Sequence, residues 1–320
     1  MSSRGPGDRD YGRRNYSSSS SSQGRSRDAS RRPPSRRRPP PRRRQASGGR
    51  TFVWLLAIIA VVVLLAYAGL RNLGDRGGSG GAVTTAAEAP NRVVFPEGLR
   101  REDIAAILDE KTSLSGEEYL TLTAPGARGR QLAKAKGPRS LEGFLFPATY
   151  DVYSTTTVQN LVEQQLAAFA DRTAGIDYRP AAKKNLTRYD VLIIASMVER
   201  EVRVPEERKI VAGVIYNRLR NDMRLDIDAT VQYALGSWKP ELTAEDLAID
   251  SPYNTRKFTG LPPGPICNPG EASIRAAAQP AKTDFLYYVA KNDGSGGHFF
   301  ARTAAEFEQA VAQSRANAGG

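Results

Sequence analysis

Thr187-Arg188-Tyr189-Asp190-Val191-Leu192-Ile193-Ile194-Ala195-Ser196-Met197-Val198-Glu199-Arg200-Glu201 is the stretch from which the fold can be read. Thr187 to Asp190 opens a helix, and Val191 to Val198 is apolar nearly all round. A helix of that kind is buried rather than amphipathic, so the surrounding elements must pack on every side of it. Glu199 ends the apolar run. A carboxyl at the lip of a buried helix is partly desolvated, which raises its pKa toward the range of a general acid. The same position equally suits a helix-end glutamate paired with Arg203 one turn on. Glu201, two residues further, points to another face and reads as a solvent or salt-bridge residue.

Downstream, Pro205-Glu206-Glu207 suits a helix first turn, and Val211, Val214, Ile215 and Leu219 make one apolar face. Asp228 can cap a helix over 229–235, with Gly236 as its stop signal. Phe285 to Ala290 and His298 to Ala301 read as strands across a Gly-rich turn, and Thr303 with Glu306 caps a terminal helix. Upstream, Arg92 to Phe95 reads as a strand and Pro96-Glu97-Gly98 as its turn. Ile104, Ile107 and Leu108 give helical spacing. Ser115-Gly116-Glu117-Glu118 opens a second helix as a capping box. After a basic loop over 128–139, the aromatic-rich segment from Gly143 to Tyr153 reads as strand. Thr156 with Gln159 then caps a helix through Phe169. Strand, two helices and strand make a small α+β unit, and no internal repeat is present.

The 320 residues carry a formal net charge of +12, and the first fifty account for all of it with 15 Arg and 3 Asp. The basic pI therefore belongs to a tail, and no nucleic acid is expected for the folded part. Residues 1–50, rich in Ser, Arg, Pro and Gly, bury too little apolar surface to fold and read as a disordered basic cytoplasmic tail. From Phe52 to Leu70 no residue is charged. Nineteen residues at about 1.5 Å each span roughly 28 Å, the thickness of a bilayer's hydrocarbon core. Residues 51–71 are thus expected to be a transmembrane helix, with the N-terminus cytoplasmic and the C-terminal bulk outside. Cleavage after Ala66-Tyr67-Ala68 is the competing reading, disfavoured by the long basic preface. Residues 72–90 read as a flexible linker. One Cys, Cys267, excludes an internal disulfide, and one His, His298, excludes multi-histidine metal sites. No metal or cofactor is expected.

Other polar clusters stand out. Four prolines and three glycines occupy the eleven residues from Gly260 to Gly270, after Tyr253-Asn254-Thr255. A rigid loop carrying Asn and Tyr suits a sugar, though it suits a structural loop equally well. Asp228, Thr230 and Gln232 lie together, and Glu142 is a single carboxylate among apolar residues from Gly143 to Tyr150. His298 follows two glycines and reads as structural. No GxSxG, P-loop or dinucleotide fingerprint occurs in a fitting context, which removes esterase, NTPase and dehydrogenase readings.

Four blocks in order carry a resemblance to a known family: Glu142 to Tyr150, Ala195 to Glu201, Asp228 to Tyr233, and Tyr253-Asn254-Thr255 with the loop from Gly260 to Gly270. Over roughly Arg92 to Gln313 the sequence resembles the YceG-like, MltG-type endolytic murein transglycosylases of the bacterial cell envelope. The resemblance implies a single-pass α+β protein of the cell membrane. A LysM-like subdomain with a connecting helix would cover 91–184, and a mixed α/β catalytic domain 185–320. It places Glu199 at the family's catalytic glutamate, and implies glycan contacts for Glu142, Asp228, Thr230, Gln232, Tyr253, Asn254, Thr255 and Asn268. The implied reaction cleaves the β-1,4 bond between N-acetylmuramic acid and N-acetylglucosamine of nascent strands without water, leaving a 1,6-anhydro end and limiting strand length. Arg256 and Ala229 depart from the family pattern, which commonly has an aromatic and a proline there.

Peptidoglycan strands are the implied partner, with cell-wall synthases beside them. Two other readings compete. A non-catalytic peptidoglycan-binding scaffold for synthases would bind glycan without cutting it. A tail-borne RNA or lipid tether would show steeply salt-dependent binding, lost with residues 1–50.

Overall fold

A computed structural model describes residues 89–126 and 140–319. The expected basic tail, membrane helix and loop over 128–139, and nearly all of the linker, lie outside the described residues. Among the described residues no helix is long and apolar enough to cross a membrane.

The first part is the strand–helix–helix–strand unit the sequence suggests. Strand β1 (Asn91–Val94) pairs antiparallel with β2 (Thr149–Val152), with Val93 opposite Tyr150. Between them run helices α1 (Arg101–Lys111) and α2 (Gly116–Thr123). The Ser115 hydroxyl caps α2 by accepting from the Glu118 amide. Helix α3 (Val158–Ala174) closes the unit. Val93, Phe95, Ile104, Leu108, Tyr119, Leu145 and Leu161 form its core, all essentially inaccessible. Tyr119 buries its hydroxyl there only because Gln165 Oε1 accepts it at 2.9 Å.

Two sequence expectations need correction here. The strand read over 143–153 is confined to β2; residues 143–147 form a turn followed by irregular backbone instead. Gly143 sits at φ +88°, and the amides of Gly143 and Leu145 donate to Asn268 Oδ1, so these groups have no strand partner to seek. The cap of α3 is Thr157 with Asn160, not Thr156 with Gln159. Thr156 Oγ1 is engaged with the Tyr153 amide, which leaves the next threonine to cap.

Helix α5 (Arg188–Glu201) is central to the second part, after the short α4 (Arg179–Ala182). Thr187 and Asp190 form the reciprocal box at its start, and all eight residues from Val191 to Val198 are buried. A 3₁₀ turn over Pro205–Glu207 leads into α6 (Arg208–Arg220). Helices α7 (Asp228–Leu235) and α8 (Ala244–Leu247) follow, and Gly236 ends α7 in the left-handed conformation at φ +73°. Helix α9 (Glu271–Ala278) lies along α5 and α6. The hairpin β3 (Tyr287–Ala290) and β4 (His298–Ala301) then packs on the terminal helix α10 (Ala304–Ala318). The described chain is therefore α+β, with helices dominant after Val152 and two two-stranded antiparallel sheets.

Phe144 joins the two apolar clusters: its ring packs edge-on to Phe169 at 5.2 Å and stacks with Tyr189 at 6.1 Å. Gly143 beside it tolerates no side chain. A Cβ there would lie 2.6 Å from Pro265 Cγ, on a backbone L-residues rarely adopt. Gly143→Ala is expected to cost about 3 kcal/mol or more, from left-handed strain plus displacement of Pro265. Urea unfolding measures this, and a cost under about 1 kcal/mol would mean the turn relaxes freely.

Candidate functional site

The site is assembled where the loop from Gly260 to Gly270 runs along the C-terminal turns of α5. Ser196 faces that loop: its Oγ accepts from the Ile266 amide at 3.0 Å, and its carbonyl accepts from the Cys267 thiol at 3.3 Å. Glu199, three residues on and hence on the same helix face, accepts from the Gly270 amide through Oε2 at 3.0 Å. Residue 270 is also the N-cap of α9, so the carboxylate meets the positive end of a helix. The alternative of a helix-end ion pair with Arg203 is not realised, because among the described residues no cation lies within ion-pair distance of Glu199. Its side chain is half-buried, with the Gly98 backbone packed on its Cγ.

The segment after β1 forms the opposite side. Gly98, at φ +84°, donates its amide to the Asn268 carbonyl, and the Asn268 amide donates to Leu99 O at 2.8 Å. Arg200 reaches over to donate to Gly98 O at 3.2 Å, and its guanidinium lies 3.7 Å from the Trp238 ring centre. Arg100 approaches the same ring at 5.8 Å. Glu97 stands at this turn, its carboxylate pressed against Gly270 where a side chain would otherwise go. Loss of water and the nearby Glu199 carboxylate push its pKa up, partly offset by Arg208. Sequence reasoning took Pro96-Glu97-Gly98 for a turn and no more. Nothing local signals that Gly98 is held by a residue 170 positions downstream, Asn268.

The residues expected to touch glycan separate into buried supports and accessible ones. Asn268 is buried with every polar atom of its amide used: Oδ1 takes the Gly143 and Leu145 amides, and Nδ2 donates to Leu99 O and Glu142 Oε1. Glu142 accepts that bond and another from the Arg101 amide. Thr230 and Thr255 share a hydroxyl–hydroxyl bond at 2.9 Å, and Thr255 Oγ1 also takes the Ile227 amide. Asn254 donates to the Leu247 and Ile249 carbonyls and accepts from the Arg256 amide. In this conformation the side chains of Glu142, Thr230, Asn254, Thr255 and Asn268 are all engaged with the protein's own loops. Gln232 clasps the turn after α7 through both bonds to the Lys239 backbone. Tyr253 packs its ring on Tyr233 at 4.8 Å, and Gly264 lies against its hydroxyl.

Asp228 is exposed at the first residue of α7 rather than capping it, because Ile227 holds the cap position and Arg256 draws the carboxylate away at 2.5 Å. Glu201 is the other correction. It accepts from the Tyr288 hydroxyl at 3.0 Å, and burial raises its pKa. Tyr288 and Phe300 of the β3–β4 hairpin pack against the apolar cluster to which α5 belongs. His298 pairs with Glu207 at 2.6 Å and meets Tyr288 edge-on, a structural role as its sequence position suggests. Burial, reinforced by Glu142 and Glu199, holds the Cys267 thiol far above its usual pKa, which removes it as a nucleophile. Among the described residues no three His, Cys, Asp or Glu side chains gather closely enough to hold a metal ion.

Glu142 also has a pH consequence. Burial pushes its pKa to about 8, against the opposing pull of Arg101. A carboxyl whose folded pKa is raised binds its proton more tightly in the folded state, so stability is fully present below about pH 4.5 and is lost as pH rises toward about 8. Urea midpoints should therefore fall across that window, and Glu142→Gln should flatten the fall. A slope unchanged by the substitution would assign the pH dependence to another group.

Comparison with known proteins extends these observations. The YceG-like family model matches residues 78–313. A protein of Streptococcus pneumoniae R6 named endolytic murein transglycosylase is 37% identical over 232 residues, covering 68% of this chain and 40% of the relative. A Bacillus subtilis 168 protein of the same name is 37% identical over 220 residues, 63% of this chain and 60% of the relative. The chain thus spans about half the length of these curated relatives. A crystal structure of a yceG-like protein from Listeria monocytogenes superposes with a TM-score of 0.60 at 34% identity, covering 69% of this chain and 76% of that one.

Proposed function

The chain belongs to the YceG-like family, and from that premise we propose that it is an endolytic murein transglycosylase acting on peptidoglycan. The observation that carries this reading is Glu199. It is a half-buried carboxyl that follows the buried run from Val191 to Val198, held by the Gly270 amide on a proline-stiffened loop. Such a group is fixed in position yet open to a ligand, as a general acid must be. Glu199 protonates the glycosidic oxygen leaving with N-acetylglucosamine, and the muramyl 6-hydroxyl attacks the anomeric carbon. Because that nucleophile belongs to the same sugar, its effective concentration is high and no activated water is required. A hydrolase would instead need a second carboxylate to serve a water or a covalent intermediate.

Several further assignments belong to the same reading. The β1–α1–α2–β2 unit is taken as LysM-like, on the strength of its strand–helix–helix–strand order. Residues 51–71 are taken as a single membrane anchor, from their length and lack of charge, with the enzyme on the outer face of a bacterial cell membrane. That placement favours nascent strands near the bilayer, and cell-wall synthases would be neighbours there. Incubating the purified full-length chain with long, uncrosslinked glycan strands tests the activity. The reading requires strands to shorten from within and new ends to be 1,6-anhydromuramyl. Retained binding without shortening would instead support the scaffold reading.

A further inference from the structure

A transglycosylase working through one carboxyl asks much of it. The group must hold a proton for the leaving oxygen and, within the same event, be ready to take another from the 6-hydroxyl. A second carboxyl nearby relieves that conflict, because one group can give a proton while the other takes one.

The described structure provides such a neighbour. Glu97 and Glu199 both converge on Gly270: Glu199 accepts its amide, and Glu97 fills the space on the side-chain face of its Cα. Only glycine leaves that space open. The two come from distant parts of the chain, and the Gly98–Asn268–Leu99 backbone pairing holds them together. Glu97 remains open to solvent, so a sugar hydroxyl can reach it. The charged groups acting on Glu97 are Glu199, on α5, and Arg208, at the start of α6; Arg200 packs on the adjoining Gly98. The remaining carboxyls singled out are occupied elsewhere. Glu142 is buried with both oxygens bonded, Asp228 is paired with Arg256, and Glu201 faces Tyr288.

We propose that Glu97 is a second catalytic carboxyl: it holds the muramyl 6-hydroxyl and takes its proton while Glu199 protonates the leaving oxygen. This rests on the transglycosylase reading of the site. In the step, the bond between C1 and the glycosidic oxygen breaks, its electron pair stays on that oxygen, and the Glu199 proton joins it. An oxygen lone pair of the 6-hydroxyl forms the new bond to C1, and its proton passes to Glu97. A proton returning from Glu97 to Glu199 resets the site. No water is consumed and no charge is left over.

The test uses the full-length chain with Glu97→Gln and Glu97→Asp, followed by release of anhydro ends from glycan strands across pH. Glu97→Gln should lower kcat about 100-fold with a much smaller change in KM. It should also erase the limb of the profile where activity rises as a base ionises. Glu97→Asp, one methylene shorter, should recover part of the rate and restore that limb. Thermal melts check that the variants fold, and if Glu97→Gln does not, the Glu97→Asp profile alone decides: a wild-type rate overturns the proposal. A Glu97→Gln kcat within about threefold of wild type, or a loss with the pH profile unchanged, also overturns it while leaving the transglycosylase reading intact. Absence of anhydro ends from the wild-type protein would overturn both.

Discussion

Glutamine in place of Glu199 is expected to leave a folded protein that binds glycan strands and no longer cuts them. The amide keeps the shape of the carboxyl, and its carbonyl oxygen can still accept the Gly270 amide that fixes the side chain. What it loses is the transferable proton. General acid catalysis contributes about 10²- to 10⁴-fold, so release of new strand ends should fall by that much, with thermal stability close to wild type. Product counting by mass spectrometry alongside glycan pulldown measures both halves of the statement. Activity above about a tenth of wild type would show that the proton comes from elsewhere. Equal cleavage with equal binding would remove Glu199 from the chemistry altogether.

The second large effect is structural. Asn268→Ala strips four hydrogen bonds from the junction between the first unit and the loop from Gly260 to Gly270. The Gly143 and Leu145 amides and Glu142 Oε1 are then left buried without that partner. Each unsatisfied buried group costs about 1–3 kcal/mol, so a loss of about 3–5 kcal/mol is expected in urea unfolding. Asn268→Asp should fare little better, because its second oxygen would face the Leu99 carbonyl, to which an amide now donates at 3.1 Å. A loss under about 1 kcal/mol for Asn268→Ala would mean that water replaces the amide, and that the junction is more open than its burial implies.

What the sequence made legible follows from how local each cause is. Helix α5 could be read because seven of the eight residues from Val191 to Val198 are apolar, and its Thr187–Asp190 cap lies within the helix's own first turn. The β1–α1–α2–β2 order could be read for the same reason, since its period changes are short-range. The turn and irregular backbone over 143–147 could not, because the group that satisfies their amides is Asn268, more than 120 residues away. Threonines 155–157 offered adjacent caps, and only the bond from the Tyr153 amide to Thr156 decides between them.

The site divides in the same way. Glu199 was visible as the charged end of an apolar run. The inward turn of Glu201 was not, because its partner Tyr288, on the hairpin, comes 87 residues later. Residue type alone does not show how such groups are held: Asn254, Thr255 and Asn268 suit a sugar by chemistry, and the fold also bonds their side chains to its own backbone. Glu97 escaped notice because its importance lies wholly in the pairing of Gly98 and Leu99 with Asn268.

Whether water enters the product is the central question for this site. Wild-type full-length protein would be incubated with glycan strands in ¹⁸O-labelled water, and the new ends examined by mass spectrometry. The account predicts muramyl ends one water lighter than hydrolysis products and free of the label. Reducing ends carrying ¹⁸O would contradict it and identify a hydrolase, with Glu97 the first candidate for the carboxylate that activates the water.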